Sequence, residues 1–253
     1  MVFKSAVYKV LDALTPGRGI ERSINGERIR FPARWSRYYE ADYEPETFRF
    51  FRENVKNGDV VLDIGGHIGL FAVVTARLVG NSGKVYSFEP TPFTRSVLKE
   101  IVDLNDCSET VEVRGEAVSL QSGETTFFDT GDAISNANSL VRSERSKNGI
   151  TVPLVSVDEF TQKNNLKVNC LKIDVEGAEF DVLVGARETF LSHRPVARLG
   201  LHPPFIVNNN QTLADIWQIL SEYKYNILFE GKAVDKEWFC SQPELFDVNL
   251  LPS

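Results

Sequence analysis

The chain has few cysteines and no long apolar run, and these absences exclude several classes of protein. Its three cysteines, Cys107, Cys170 and Cys240, form neither a C-x-x-C pair nor a zinc-ligand spacing, so they predict reduced thiols rather than disulfides or a zinc site. No segment approaches the roughly 18 consecutive apolar residues of a membrane-spanning helix, and the N-terminus lacks the apolar core of a signal peptide. We therefore expect a cytoplasmic protein without a membrane span.

Positive charge is also scarce. The chain carries 28 Lys and Arg against 35 Asp and Glu, which gives a net charge of −7 and a pI near 5.2. Binding to a nucleic-acid backbone needs a basic surface, so the composition predicts a small neutral or cationic partner and no nucleic acid. The hydrophobic content of 42% over 253 residues suits one large domain with small additions. The sequence does not indicate an oligomeric state.

The stretch from Asp59 to Phe71, DVVLDIGGHIGLF, is the strongest local signal. Its apolar, β-branched first half predicts a strand that is buried on both faces of a parallel sheet. Glycines and an apolar helical pattern follow, so the segment predicts a strand, a glycine turn and a helix. Glycine lets a ligand approach the backbone closely, and N–H groups at the helix start favour an anionic group. We therefore expect this corner to bind a ligand.

The spacing within this turn narrows the ligand class. A dinucleotide fingerprint reads G-x-G-x-x-G, whereas this chain reads D-x-G-x-x-x-G and has His67 where the second glycine of the fingerprint should stand. Asp63 adds a negative charge beside the turn, which suits a ligand with an ammonium and a sulfonium better than a pyrophosphate. That ligand is S-adenosylmethionine (SAM).

A second short strand, KVYSFEP, ends in Glu89, about 20 residues after the turn. An acidic residue at that place can accept hydrogen bonds from both ribose hydroxyls of an adenosine-containing ligand. The alternative is a solvated charge at a strand end. The combination of Glu89 with the Asp63 turn favours the binding role.

Residues 169–179, NCLKIDVEGAE, predict a strand that ends at Asp174 and a turn that contains Glu176. Together with VLDIGGHIGLF, FEPTP and VPLVSVDEF, this segment resembles the FkbM-type SAM-dependent methyltransferases. The resemblance covers about residues 43–202, and LKIDVEGAE is its most specific part.

Strand and helix patterns along the chain predict an α/β fold with a doubly wound, mostly parallel seven-stranded sheet of the Rossmann-like, class I SAM-methyltransferase type. We expect residues 1–42 to form an N-terminal helix and arm packed on the core, and residues 43–253 to form the methyltransferase domain. Strand-like alternation on both sides of a long polar stretch predicts an inserted β-hairpin at about residues 121–155.

The resemblance and the expected strand order imply two sets of site residues. The cofactor set is Glu44, Asp63, Gly65, Gly66, His67, Gly69, Glu89, Pro90, Glu116, Ala117 and Asp174. The substrate set, which would contact a small-molecule or saccharide acceptor, is Tyr43, Asn138, Ser139 and Glu176. For Asn138 and Ser139 the alternative is a solvated loop.

Two candidate catalytic residues, Asp174 and His202, follow strand ends, where ligands of an open α/β sheet bind. An alcohol needs a group that accepts its proton before it can attack a methyl group. His202, with an ordinary pKa near 6.5, is the predicted base, and Asp174 would orient the cofactor or acceptor. The alternative is a histidine fixed by the following Pro203-Pro204 turn. The resemblance implies an acidic residue just before this histidine, where this chain has Gly200. That departure argues against an acid-assisted role for His202.

Asp174 and Glu176 also allow a divalent metal that binds the acceptor oxygens. Two carboxylates are too few to require one, so the sequence does not favour metal dependence.

The predicted function is SAM-dependent O-methylation of a hydroxyl on a small metabolite, a sugar or a glycan-like acceptor. One alternative is a non-catalytic protein of the same fold that acts in binding or assembly, and a failure to bind SAM would support it. The less favoured alternative is an NAD-dependent dehydrogenase, against which the interruption at His67 argues.

Overall fold

The computed structural model describes residues 18–129, 140 and 148–253, so the expected N-terminal helix, Asn138 and Ser139 lie outside the described residues. The strands, numbered in chain order, are β1 (Ile20–Ile24), β2 (Glu27–Phe31), β3 (Val60–Ile64), β4 (Lys84–Phe88), β5 (Val111–Arg114), β6 (Ala117–Val118), β7 (Gly123–Asp129), β8 (Asn148–Val155), β9 (Cys170–Ile173), β10 (Val196–Leu201), β11 (Tyr225–Phe229), β12 (Lys232–Ala233) and β13 (Phe246–Pro252). The α-helices are α1 (Pro45–Asn54), α2 (Leu70–Val79), α3 (Pro92–Leu104), α4 (Val157–Lys163), α5 (Glu179–Val184), α6 (Pro203–Asn208), α7 (Leu213–Glu222) and α8 (Lys236–Cys240).

One large sheet carries the fold. Its strand order is β12-β11-β13-β10-β9-β3-β4-β5. The strands from β10 to β5 in this order run parallel, whereas β13 lies antiparallel between β10 and β11. This mostly parallel α/β architecture confirms the predicted fold class. The strand order reverses between β3 and β9, and ligands of open α/β sheets bind outside the carboxyl ends of the strands at such a point.

Apolar clusters cover both faces of the large sheet, which explains the continuous apolar run of β3. Val61 belongs to the cluster on one face, whereas Leu62 and Ile64 belong to the cluster on the other. All three side chains are buried, as the sequence pattern predicts for a central parallel strand. Among the described residues, no helix combines the length and the apolar character that crossing a membrane requires.

The large sheet has eight strands rather than the predicted seven. The additional strand, β12, is two residues long and pairs antiparallel with the end of β11. Glu230 and Gly231 connect the two strands with φ angles of 48° and 78°, the backbone of a type I′ hairpin. An Asn-Gly or Asp-Gly pair is the usual signal for this turn, so the Glu-Gly pair does not reveal the short strand.

The predicted inserted hairpin is present as the antiparallel pair of β7 and β8. The pairing runs from Gly123 opposite Leu154 to Asp129 opposite Asn148. β6 pairs in parallel with β8. The strands β6, β8 and β7 therefore form a separate three-stranded sheet, in that order.

The turns after β3 and β9 touch through their backbones. Gly65 has a φ of 85°, and a Cβ placed on it would lie 1.9 Å from the carbonyl oxygen of Asp174. The N–H groups of Gly65 and Gly66 donate to the carbonyl oxygen of Phe88 at 3.1 and 2.9 Å. Glycine is required because no side chain fits between the two backbones. The ends of β3, β4 and β9 are therefore held together at one point.

We expect Gly65→Ala to destabilise the protein more than Gly231→Ala. Both glycines have positive φ, so alanine costs about 1–2 kcal/mol at either position, but a Cβ on Gly231 meets no atom within 4 Å. Displacing the backbone that faces Gly65 adds on the order of 1–3 kcal/mol. Urea unfolding measures the free energy of unfolding of both variants. Equal decreases would show that a Cβ at the contact between the two turns adds no destabilisation.

Candidate active site

A cavity opens at the carboxyl ends of β3, β4 and β9, where the strand order reverses. Its described walls carry six carboxylates: Glu44, Glu89, Glu116, Asp174, Glu176 and Asp247. Among the described lining residues, Lys172 is the only lysine or arginine. The cavity is therefore strongly acidic.

Asp63 supports the glycine turn from behind. Its side chain is buried, Oδ2 accepts a hydrogen bond from the Ser87 hydroxyl at 2.8 Å, and Oδ1 has no partner among the described residues. A Cβ on Gly66 would lie 2.0 Å from the Ser87 hydroxyl oxygen, so the turn packs directly on this pair. Burial raises the pKa of Asp63, although Lys172 and Ser87 oppose that rise.

Glu89 presents a buried carboxylate to the cavity at the end of β4. Glu89 is 7% exposed, and its Oε1 accepts a hydrogen bond from the backbone N–H of Thr91 at 2.8 Å. Arg95 donates to the carbonyl oxygens of Glu89 and Pro90 at 2.9 and 2.8 Å, which fixes the backbone of this loop. Burial raises the pKa of Glu89 to about 7. The carboxylate therefore gains stability from any ligand that donates hydrogen bonds to it.

Glu116 and Ala117 line the cavity between β5 and β7. The Glu116 carboxylate is paired with the Arg114 guanidinium. Burial opposes ionisation of Glu116, but the hydrogen bond with Arg114 outweighs it and lowers the pKa of the carboxyl. Glu116 therefore stays ionised, with its charge directed largely at Arg114.

Lys172 is a buried cation in the middle of β9. It is 5% exposed, and its Nζ donates to Asp174 Oδ2 at 2.8 Å. Burial alone would lower its pKa, but Asp174, Asp63 and Glu44 together raise the pKa. The Phe71 ring lies 5.6 Å from Nζ, a cation–π contact. A lysine within a buried apolar strand is itself a sequence signal, because a lysine is almost never fully buried unless it is paired.

Three carboxylates surround the imidazole of His202. Its Nδ1 lies 2.8 Å from Glu179 Oε1, and its Nε2 lies 3.6 Å from Asp174 Oδ1 and 3.5 Å from Glu176 Oε2. Burial alone would lower its pKa, but Glu176, Glu179 and Asp174 raise the pKa to about 11. Such a ring is protonated at neutral pH, so in this state it cannot accept a proton from an alcohol. The base role of His202 stays a prediction, and it requires a state of the site in which the ring has lost this proton.

The N-terminal segment contributes an aromatic wall beside the glycine turn. The Tyr39 hydroxyl lies 3.2 Å from His67 Nδ1, and the ring of Tyr38 lies 5.2 Å from the His67 ring. Burial lowers the pKa of His67 to about 4, so the ring is neutral. Its Nε2 has no partner among the described residues. Because a buried polar atom without a partner is costly, a polar ligand atom at Nε2 would be stabilising.

The structure brings most of the predicted site residues to this cavity. Those that line it are Tyr43, Glu44, Gly65, Gly66, His67, Glu89, Pro90, Glu116, Ala117, Asp174, Glu176 and His202.

Two predicted residues take supporting positions instead. Asp63 lies behind the turn, and Gly69, with a φ of 92°, precedes α2 as its N-cap. Lys172, Glu179 and Asp247 are not among the predicted site residues. The lysine in an apolar strand is a signal for Lys172, whereas the roles of Glu179 and Asp247 depend on contacts between distant segments.

The glycine turn after the first central strand, together with the mostly parallel sheet, defines a class I SAM-methyltransferase fold. A solved structure from Clostridium thermocellum, a proposed rRNA methylase, shares this fold with a TM-score of 0.50 at 10% identity, over 82% of this chain and 94% of that one. A family model for the methyltransferase FkbM domain matches residues 63–227. The chain belongs to the FkbM methyltransferase family, which confirms the family predicted from its motifs.

Curated relatives are similar over about half of the chain. Hexuronic acid methyltransferase AglP of Haloferax volcanii is 31% identical over 143 residues, which are 56% of this chain and 56% of the relative. Methyltransferase 1 of Beauveria bassiana is 28% identical over 143 residues, which are 49% of this chain and 57% of the relative. The chain thus spans just over half the length of these relatives.

We expect Lys172→Met to destabilise the protein by on the order of 3 kcal/mol, because the buried Asp63 and the half-buried Asp174 lose the cation that balances their charge. Lys84→Met is the matched control, since Lys84 is half-buried at the start of β4 and its ammonium donates to the carbonyl oxygen of Glu109 at 3.0 Å rather than to a carboxylate. The loss should shrink as the pH falls towards 4, because protonated carboxyls need no cation. Urea unfolding at several pH values measures both variants, and similar losses would contradict a special role for Lys172.

Proposed function

We propose that the protein transfers the methyl group of SAM to a hydroxyl oxygen of a small, sugar-like acceptor. The observation that carries this proposal is the buried carboxylate of Glu89 on the wall of the same cavity as Gly65 and His202. Membership of the FkbM family supports methyl transfer. One relative is named a hexuronic acid methyltransferase, which supports a sugar as the class of acceptor.

The described residues fit SAM in charge and in hydrogen-bonding groups. Glu89 offers a carboxylate that can accept hydrogen bonds from two ribose hydroxyls. The acidic walls suit a ligand with a sulfonium and an ammonium group, and His67 Nε2 is available to a polar atom of that ligand. These features support assignment of the cofactor set around the glycine turn.

Bound SAM would supply a methyl group that its sulfonium already activates. The residues of the protein then align the acceptor, exclude water and take one proton. Burial raises the pKa of Glu176, whereas Lys172 lowers that of Asp174 against the effect of burial. Glu176 is therefore the stronger base of the two. We assign the hydroxyl proton to Glu176 in place of His202, which is protonated at neutral pH, and we assign positioning roles to Asp174 and His202.

The charge of the cavity favours an uncharged acceptor. Six carboxylates and one lysine line its described walls, and Lys172 already pairs with Asp174. An acceptor carboxylate would meet like charges there, which is unfavourable in a partly desolvated site. We therefore propose a neutral, hydroxylated small molecule or saccharide rather than an acidic sugar or a nucleic acid.

We expect the chain to bind SAM and not NAD in isothermal titration calorimetry. Glu89→Gln should weaken SAM binding by about 10–100-fold, because a hydrogen bond to a charged group contributes on the order of 1.5–3 kcal/mol. Glu109→Gln, an exposed carboxyl outside the cavity, is the control. If wild type does not bind SAM, or if Glu89→Gln binds it equally well, the cofactor assignment is wrong.

The pH dependence of SAM affinity gives an independent check. With its pKa raised to about 7 by burial, Glu89 must lose a proton before it accepts two hydroxyl hydrogen bonds. Wild-type affinity should therefore fall by up to about tenfold for each pH unit below 7. In Glu89→Gln this dependence should disappear, and a variant that retains it would place the titrating group elsewhere.

A panel of neutral hexosides and hexuronates, with detection of the methylated product by mass spectrometry, tests the acceptor class. In metal-free buffer, we expect methyl ethers of neutral sugars in preference to uronates. Glu176→Gln should lower kcat by roughly 10²–10⁴-fold and leave SAM affinity within about twofold. Methylation at nitrogen or carbon, or an unchanged kcat, would overturn these assignments.

A further inference from the structure

We propose that Asp174, Glu176 and His202 form a binding site for one divalent cation. Mn²⁺ is the probe that suits these ligand types. One ligand atom from each residue lies within 4.8 Å of the other two. His202 Nε2 lies 3.6 Å from Asp174 Oδ1 and 3.5 Å from Glu176 Oε2. The sequence shows only two carboxylates, and the fold adds the histidine because β9 and β10 are parallel neighbours that end at the same edge.

Glu179 holds His202 in the orientation of a metal ligand. Its Oε1 lies 2.8 Å from Nδ1 and also accepts the N–H of Gly177 at 3.0 Å, and its side chain is fully buried. Histidines that bind metals almost always donate their second ring N–H to a carboxylate, a carbonyl or water, which fixes the tautomer and points the other nitrogen at the ion. The contact between Glu179 and His202 is a separate observation from the proximity of the three ligand atoms, and it indicates the same site.

The spacing and the ligand types select the class of ion. Ligand atoms around an octahedral ion with bonds of about 2.2 Å lie about 3.1 Å apart at right angles and about 4.4 Å apart when opposite. The observed separations, 3.5 and 3.6 Å from His202 Nε2 and at most 4.8 Å between the carboxylate oxygens, are close to this range. One imidazole nitrogen with two carboxylates suits a first-row divalent ion such as Mn²⁺. A proton on Nε2 and the ion would occupy the same place, so they are alternative occupants.

The surroundings have an excess of negative charge. Asp247 also lines this side of the cavity, but Arg198 pairs with it at 2.9 Å. Lys172 pairs with Asp174 through Oδ2, at 2.8 Å, which leaves Oδ1 facing His202. A divalent cation beside Oδ1 would offset charge that the described cations do not balance.

Cation binding does not depend on the proposed function, whereas the role of the ion rests on it. The three residues follow the ends of β9 and β10, next to the glycine turn that we assign to SAM. An ion here would bind two neighbouring oxygens of a polyhydroxylated acceptor and hold one of them beside the cofactor.

The test is a titration of the metal-free chain with Mn²⁺. Electron paramagnetic resonance monitors binding through the loss of the signal of the free ion. We expect one saturable site per chain. Asp174→Asn should weaken it by more than about 10-fold, and Glu179→Gln by about 10–100-fold, since a group that orients a ligand carries that much affinity. If Glu179→Gln does not fold by circular dichroism, Glu176→Gln on the cavity wall replaces it.

Glu89→Gln is the matched control, because it alters a carboxyl of the same cavity on the cofactor side. It should weaken SAM and leave Mn²⁺ affinity unchanged, whereas Glu179→Gln should weaken Mn²⁺ and leave SAM affinity in metal-free buffer unchanged. Absence of saturable Mn²⁺ binding up to about 1 mM, or equal affinity in all variants, would overturn the cation site. Mn²⁺ binding without SAM binding would instead overturn the proposed function and leave the cation site standing.

Discussion

The buried ammonium of Lys172 is the interaction on which the candidate site depends. It brings together carboxylates from three elements: Asp63 at the end of β3, Asp174 after β9, and Glu44 before α1. The buried Asp63 and the half-buried Glu44 and Asp174 would repel one another or take up protons if this cation were absent. Since Asp63 supports the glycine turn and Asp174 faces the cavity, one charge fixes both the cofactor side and the acceptor side of the site.

Features set by neighbouring residues could be predicted from the sequence, and features set by distant contacts could not. The strand, turn and helix around Gly65 and the position of Glu89 follow from local patterns of apolar residues and glycine. The eighth strand was not predictable, because its Glu230-Gly231 turn lacks the usual residues. Lys172 reads as one polar residue in an apolar strand, and only the fold shows the carboxylates that surround it.

His202 shows why a residue can be located from sequence while its chemistry cannot. The residues beside His202 in the sequence, Gly200 and Leu201 before it and Pro203 after it, offer it no acidic partner. The fold supplies Glu179 instead, from the first turn of α5, at 2.8 Å from Nδ1. A base role inferred from an ordinary histidine pKa therefore does not carry over to a ring among three carboxylates. The position was predictable because strand ends meet at one edge, but the proton affinity depends on tertiary contacts.

The charge of the cavity links the questions of the cofactor, the cation and the acceptor. Walls with six carboxylates and one lysine favour cationic ligands, so a sulfonium cofactor and a metal ion both fit for the same electrostatic reason. They differ in what they leave for the acceptor. Without an ion, the carboxylates that face His202 would repel an acidic sugar; with a divalent ion bound, the local charge rises by up to two and the ion itself can bind a carboxylate. The occupancy of the Asp174, Glu176 and His202 cluster would therefore decide whether this cavity accepts neutral sugars alone or acidic ones as well.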